Sequence, residues 1–187
     1  STLALMSCTN NDDNSEWYGS EGIVFTTAIQ SRVSGNTWNA NDEVGIYMMN
    51  AGSGIEAATA QNKKYIAQTN GTLTAAPGNG IYLPESGNVD FIAYYPYSET
   101  ISDYKNYPID LSNQTKQNAI DLMTAVNLTN RQLASPQGNL QFKHLLAKLV
   151  LNLKSTSGSS LKGIKASISG LQVKGTANLS DGTITPS

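Results

Sequence analysis

The sequence predicts an all-β protein, a sandwich of about seven or more mostly antiparallel strands in two packed sheets. Short runs rich in β-branched and aromatic residues recur along the chain, and turn-forming Asn, Asp and Gly residues separate them. Only 14% of the 187 residues are charged, against about 25% in a typical globular chain. Asn, Ser, Thr and Gly supply the polar character instead, as is common in exported β-proteins. No repeat of fixed period is visible, which argues against a solenoid or propeller.

The first strand is predicted over residues 22–29, where β-branched residues dominate. Ile23, Phe25 and Ile29 share one face of this strand, because successive side chains point to opposite faces. A turn rich in Ser, Gly and Asn at residues 34–36 follows it. The first strand therefore has one face suited to a protein core.

Later segments continue the pattern of short strands and turns. Asn70 followed by Gly71 is a strong hairpin signal, so the chain is expected to fold back on itself there. Pro96 is expected to end the clearest later strand, because proline cannot donate to a ladder. A long polar loop is expected over residues 98–118. The other predicted strands cover residues 44–49, 64–67, 71–74, 80–83, 89–95, 121–126, 164–168 and 171–173. The residues expected to fill the core are Phe25, Ile46, Phe91, Ala93, Phe142, Leu149, Leu151 and Ile168.

Residues 140–154 fit two kinds of element. Their apolar positions match helical spacing, but they also alternate as in a strand if the phase slips at Leu145 and Leu146. A β-bulge at those two residues would reconcile the two phases. Every other predicted element is a strand, which favours the bulged strand and leaves the helix as the alternative.

The amino terminus resembles the processing region of a bacterial lipoprotein. Residues 1–8 are small and apolar, as in the tail of a signal peptide, and residues 9–21 lack periodicity and read as a flexible tether. Leu5-Met6-Ser7-Cys8 is similar to a lipobox, in which the cysteine carries the acyl chains. Each buried methylene of such an anchor contributes about 0.8 kcal/mol. The resemblance implies lipidation of Cys8, and the alternative is a structural cysteine.

Four motifs, taken in order, resemble the fimbrillin family of the Bacteroides group. That resemblance implies that residues 22–187 form a transthyretin-like amino-terminal β-sandwich domain. It also implies a second sandwich domain, which is apparently not in this sequence. The motifs are Arg32-Val33-x-Gly35-Asn36-x-Trp38-x-x-x-Asp42-x-Val44-Gly45-Ile46-Tyr47-Met48, Phe91-x-Ala93-Tyr94-Tyr95-Pro96-Tyr97, Asp121-Leu122-Met123 and Phe142-x-His144-x-x-Ala147-Lys148-Leu149.

The resemblance further implies how such a subunit assembles. Pilus subunits of the family are cut after an arginine by a trypsin-like protease, and Arg32-Val33 is the matching position. Removal of the first strand would open a groove at the positions of Ile23, Phe25 and Ile29, which a strand from a neighbouring subunit would fill. This account expects residues 22–31 to be an edge segment that is open to exchange. The alternative is that Arg32 is an ordinary turn residue.

The chain is therefore expected to be a structural subunit or anchor of a cell-surface pilus at the outer membrane, and to assemble with other pilus subunits by strand exchange. The first alternative is a stand-alone surface adhesin that binds glycan or host protein through Tyr94, Tyr97, Tyr104 and Tyr107. The second alternative is an accessory domain of a polysaccharide-degrading enzyme.

Catalysis, cofactors and nucleic acid are not expected. The net charge is −2 and no basic block is present, so the footprint of a nucleic-acid binder is missing. With one cysteine and one histidine, His144, the chain lacks the ligands of a typical zinc site. No Gly-x-Ser-x-Gly elbow or phosphate-binding loop occurs.

Overall fold

The computed structural model describes residues 18–19, 22–30, 37–101 and 103–187. Short 3-10 helices lie at Ile55–Ala57 and Gln117–Ala119. Among the described residues, no helix is long and apolar enough to cross a bilayer. The strands are β1 (Tyr18–Gly19), β2 (Gly22–Ile23), β3 (Phe25–Gln30), β4 (Glu43–Asn50), β5 (Ala60–Ala67), β6 (Thr72–Ala75), β7 (Val89–Tyr95), β8 (Tyr107–Asp110), β9 (Met123–Ala125), β10 (Asn139–His144), β11 (Lys174–Ala177) and β12 (Ile184–Pro186).

Seven strands close into a barrel in the order β10, β3, β6, β5, β4, β7 and β9, and β9 pairs with β10 to complete it. Every neighbour in this barrel is antiparallel except β3 with β10. A second sheet of three strands has the order β12, β11 and β8. The all-β, mostly antiparallel prediction is confirmed, but the main sheet is closed on itself where the sequence predicted two separate sheets.

Strand β4 is buried on both faces. Ile46 and Met48 point into the barrel, whereas Tyr47 and Met49 pack in a second apolar cluster beside the three-stranded sheet. This explains why the sequence of β4 reads as an unbroken apolar run. Gly45 lies against the ring of Tyr94 so closely that a Cβ atom would overlap it. The two clusters thus meet across β4.

The predicted early strands are confirmed, and some later ones are wrong. The hairpin at Asn70 and Gly71 joins β5 to β6, and Gly71 has the positive φ of 86° that such a turn requires. Residues 80–83 form no strand, although the backbone carbonyl of Ile81 still accepts a hydrogen bond from Ile23. Residues 164–168 and 171–173 also form no strand. The predicted polar loop instead contains β8.

Both interpretations of residues 140–154 are wrong beyond His144. Strand β10 ends there, and residues 145–173 contain neither helix nor strand. The pairing runs out because β9 is short: the backbone N–H of Leu145 donates to Leu122, and no strand of the barrel continues alongside. Consequently three residues predicted for the core are exposed, while the other five are buried. The exposed fractions are 65% for Leu149, 52% for Leu151 and 51% for Ile168, and the buried residues are Phe25, Ile46, Phe91, Ala93 and Phe142.

Buried tyrosines make the fold sensitive to alkaline pH. Burial raises the pKa of Tyr47 to about 12 and also raises the pKa values of Tyr65, Tyr94 and Tyr95. A raised pKa means that the folded protein holds its phenolic proton more tightly than the unfolded chain does. This contribution to stability is complete below the unfolded pKa of about 10 and is lost as the pH rises above it.

We therefore expect the barrel to unfold cooperatively at a pH above about 10, with these four phenols ionising only as it unfolds. Circular dichroism and phenolate absorbance, followed together during an alkaline titration, check this. Ionisation of all the tyrosines near pH 10 with the circular dichroism signal intact would contradict it.

Candidate functional site

Strand β3, which holds most of the predicted exchange segment, is a central strand of the barrel. It runs parallel to β10, with Thr26 opposite Asn139, and antiparallel to β6, with Phe25 opposite Leu73. The expectation that this segment lies at an edge is therefore wrong. The parallel pairing with β10 joins segments more than a hundred residues apart, and no local pattern signals it. β3 can leave its place only if both of its ladders are broken.

The apolar side chains of this first segment fill the barrel interior. Ile23 and Phe25 are each only 1% exposed, and Ile29 packs partly buried against the same cluster. The Phe25 ring meets the rings of Phe91 and Tyr65 edge-on, with centroids 5.1 and 5.4 Å apart. Such edge-to-face pairs add about 0.5–1.5 kcal/mol beyond the area they bury. The structure thus brings together the three residues that the sequence assigned to the groove.

Tyr65 fastens the beginning of the segment. Its hydroxyl donates to the backbone carbonyl of Ile23 at 3.1 Å and accepts from the N–H of Ile81 at 3.3 Å. Ile23 in turn donates its N–H to the carbonyl of Ile81 at 2.9 Å. Gly22 precedes this contact with a φ of 108°, and a Cβ there would lie 2.6 Å from the Ile81 carbonyl. Glycine is therefore required where the chain enters the groove.

Trp38 links the segment to the chain that follows the predicted cleavage point. The indole Nε1 donates to Oγ1 of Thr27 at 2.7 Å, and that hydroxyl donates to the carbonyl of Gly71 at 2.8 Å. The indole is 5% exposed and meets Tyr95 and Phe142 edge-on. In the sequence, Trp38 was recognised only as part of the first family motif and not as a core residue. A tryptophan in a turn-rich stretch is the signal that could have marked it as a core residue.

The lipidation and cleavage positions, Cys8, Arg32 and Val33, lie outside the described residues. They remain predictions from the sequence. The described chain places β3 directly before the cleavage position and Trp38 shortly after it.

The four tyrosines of the predicted ligand surface do not form one exposed face. Tyr94 is completely buried, with its hydroxyl 2.7 Å from Oδ1 of Asn62, so the expectation is wrong for this residue. Tyr97, Tyr104 and Tyr107 are partly buried and pack against the outer apolar cluster. Nζ of Lys64 lies 4.9 Å from the centre of the Tyr97 ring. These side chains mainly cover the cluster beside the three-stranded sheet.

A small cavity lies next to Tyr104. It has a volume of about 230 Å³ and is lined by Tyr104 and Glu56, and the Tyr104 hydroxyl donates to Oε2 of Glu56 at 3.1 Å. A hydrogen bond from the backbone of Glu56 itself, followed by that from Tyr104, lowers the pKa of the carboxyl. The remaining lining residues are Tyr47, Ile55, Gln61, Asn62 and Ile101.

His144 has a carboxylate partner that local sequence did not reveal. Its Nδ1 lies 2.7 Å from Oδ1 of Asp121, because β10 pairs with β9 and sets His144 opposite Met123. Within the described ranges, no group of three or more His, Cys, Asp or Glu side chains could hold a metal ion.

Comparison with protein families decides where this barrel belongs. The model of a family described as fimbrillin-like matches residues 31–187, which is most of the chain. The chain belongs to the fimbrillin-like family. This confirms the resemblance to the fimbrillin family that the four sequence motifs indicated.

Known relatives agree with this assignment. A protein of Bacteroides uniformis, named as a candidate fimbrium subunit, Fim1C, is 37% identical over 98% of this chain. The fimbrillin-like chain spans 65% of that relative's length.

Two solved structures resemble the fold. One, described as a candidate cell adhesion protein from Bacteroides uniformis, has 42% identity and a TM-score of 0.53 over 58% of this chain and 43% of its own. The other, also described as a candidate cell adhesion protein, comes from Bacteroides ovatus. It has 22% identity and a TM-score of 0.63 over 87% of this chain and 68% of its own, and at that identity it supports the fold alone.

Proposed function

We propose that the fimbrillin-like chain is a structural subunit or anchor of a cell-surface pilus, assembled by exchange of its first strand. The single observation that carries the proposal is the position of β3, whose apolar side chains fill the barrel between β6 and β10. Because both neighbours of β3 would lose a ladder partner, its removal would leave a long slot rather than a free edge. A strand from another subunit can restore both ladders at once.

The central position of β3 makes proteolysis a necessary first step. In an uncut chain, β3 is covalently continuous with the residues that lead to Trp38, so an incoming strand competes with a tethered one. Cleavage between Arg32 and Val33 would sever that link and leave β3 held only by its ladders and side chains. Full burial of a side chain such as Phe25 or Ile23 is worth about 1.5–3 kcal/mol. The vacated slot would therefore favour refilling by a strand with apolar residues at alternate positions.

The remaining parts of the proposal rest on the sequence. Acylation of Cys8 would hold the precursor at the outer membrane until cleavage releases it. We also propose that this chain has a transthyretin-like architecture and that the whole protein contains a second β-domain. The fimbrium name of the 37% identical relative supports the role in a fimbria.

Arginine-specific proteolysis tests the cleavage step. The chain has only two arginines, whereas four lysines lie in the irregular stretch after β10 and would be cut by trypsin. The guanidinium of Arg131 donates to the carbonyls of Thr129 and Gln137, and its backbone bridges to Val89. We therefore expect an arginine-specific protease to cut the folded protein at Arg32 and to leave Arg131 intact.

The control for that experiment is Arg32→Gln, which should resist the protease and stay monomeric. Mass spectrometry identifies the cut, and size-exclusion chromatography with light scattering follows assembly. The cut wild type should form a ladder of oligomers while the variant does not. A folded wild type that resists cleavage at Arg32, or a cut protein that stays monomeric at high concentration, would count against exchange.

A stand-alone adhesin is the second candidate, favoured by the cavity beside Tyr104. Its lining combines a carboxylate, two amides and two phenols with two isoleucine side chains, a chemistry that suits a single sugar ring. Glycan-array binding that is lost in Tyr104→Ala but kept in Tyr82→Ala, an exposed tyrosine outside the cavity, would support this function. Absence of binding to any glycan would remove it.

A further inference from the structure

The stretch between β10 and β11 carries an apolar surface that the rest of the described chain leaves uncovered. Of the twelve large apolar side chains that are exposed among the described residues, nine lie between Leu149 and Val173. Their exposed fractions run from 36% to 65%. Single exposed apolar residues are ordinary, but a concentration of this kind marks an interaction surface.

The spacing of these residues is that of two strands that each bury one face. Leu149, Leu151 and Leu153 occupy alternate positions, and Ile164 and Ile168 continue the pattern after a link rich in Ser and Gly. Lysine, asparagine and serine fill most of the positions between them. The sequence therefore carries the pattern of a hairpin, yet neither segment has a strand to pair with in the structure.

The backbone of this stretch is correspondingly unpaired. Within the described part of the chain, the backbone hydrogen bonds of residues 146–172 are limited to one turn, in which Ile164 donates to Leu161. Both ends of the stretch are fixed to the main body: Leu145 donates to Leu122, and Leu111 donates to the carbonyl of Val173. A segment of strand-like sequence with free backbone groups is a ready partner for other strands.

We propose that residues 146–173 are two strands of a second β-sheet, and that further polypeptide of the same subunit supplies the other strands of that sheet. The match to the Bacteroides uniformis relative includes this stretch, because it covers 98% of the chain. The same match spans only 65% of the relative, so about a third of the relative's length lies outside the match and can contribute further strands. The inference rests on the proposed function only in treating the chain as part of a larger subunit.

This inference moves the domain boundary inside residues 22–187. The first body consists of the barrel through His144 together with β11, which pairs with β8, and β12, which pairs with β11. Residues 145–173 leave that body after β10 and return to it at β11. The exposed leucines are then an interface between two units of one subunit, not a failed part of the barrel core.

Hydrogen exchange of two wild-type proteins tests the inference. In the 187-residue chain, amides 147–172 should exchange rapidly at every protein concentration. In the full-length Bacteroides uniformis relative, the aligned amides should exchange at least about tenfold more slowly, because stable strand pairing slows exchange. Equally rapid exchange in the relative overturns the inference. Protection in this chain alone that grows with its concentration also overturns it, because a second copy is then the occupant.

Substitution separates exposure from burial. In this chain, Leu149→Ser combined with Leu151→Ser should leave the urea midpoint unchanged, whereas the control Leu140→Ser, at a fully buried position of β10, should lower it. In the relative, serine at the positions aligned with Leu149 and Leu151 should lower the midpoint, and no change there overturns the inference.

The outcome is independent of the pilus proposal. That proposal is tested by cleavage at Arg32 and by oligomers of the cut protein. Protection of the aligned stretch in the relative without assembly of this chain would preserve the interface and defeat the exchange.

Discussion

Replacing Phe25 with alanine is expected to lower the free energy of unfolding by about 3–5 kcal/mol, which is the usual loss for a buried phenylalanine. The ring is 1% exposed and sits edge-on to both Tyr65 and Phe91, so its removal leaves a cavity in the middle of the barrel. Urea unfolding followed by circular dichroism measures the change.

The matched control is Tyr82→Ala, an aromatic truncation at a position that is 59% exposed. It should change the free energy of unfolding by about 0.5 kcal/mol or less. If Phe25→Ala costs no more than this control, the first segment does not belong to the core and the groove account is wrong.

Replacing Trp38 with alanine is expected to have an effect of similar size, about 3–5 kcal/mol, for two reasons. The indole fills space between Tyr95 and Phe142, and its Nε1 donates to the Thr27 hydroxyl of β3. The same change should release the cut segment faster, because Trp38 lies beyond the cleavage position and holds β3 from the retained side. Urea unfolding and the rate of segment loss after cleavage measure the two effects.

Thr27→Val serves as the control for the hydrogen bond alone. It should cost about 1–3 kcal/mol, because it leaves the indole N–H without its partner while the packing of the ring is kept. A Trp38→Ala protein that loses stability but releases the cut segment no faster than the wild type would show that Trp38 supports the barrel without clamping β3.

The sequence predicted the barrel best where local pattern and burial agree. Phe25 and Phe91 alternate with less buried neighbours in strands that face one core, so the period of two in the sequence identified them. The hairpin at Asn70 and Gly71 was equally clear, because its turn demands a residue with positive φ.

The wrong predictions concern segments whose structure depends on partners that are distant in sequence. The parallel pairing of β3 with β10 brings Thr26 opposite Asn139, and this converts an expected edge into a central strand. Leu149 and Leu151 have the alternation of a core strand, but β9 is too short to extend alongside them and pair with them. Pattern shows that a face is apolar, and only the fold shows what covers it.

The candidate site also contains residues that the sequence predicted and contacts that it did not. The sequence assigned Ile23, Phe25 and Ile29 to one face, and all three pack into the barrel. The clasp formed by Tyr65 around Ile23 and Ile81 could not be foreseen, because it joins three separate segments. Tyr94 was expected at a ligand surface. It lies instead in the apolar cluster beside the three-stranded sheet, and its hydroxyl donates a hydrogen bond to Asn62.

The most direct test of strand exchange uses a labelled peptide with the sequence of residues 22–31. The protein is cut at Arg32, incubated with an excess of peptide, and monitored by fluorescence anisotropy. The account predicts that the peptide enters the cut protein, that uncut protein excludes it, and that a peptide with Phe25→Asp fails to bind. Equal binding of both peptides, or no entry into a cut and folded protein, would contradict a refillable slot between β6 and β10.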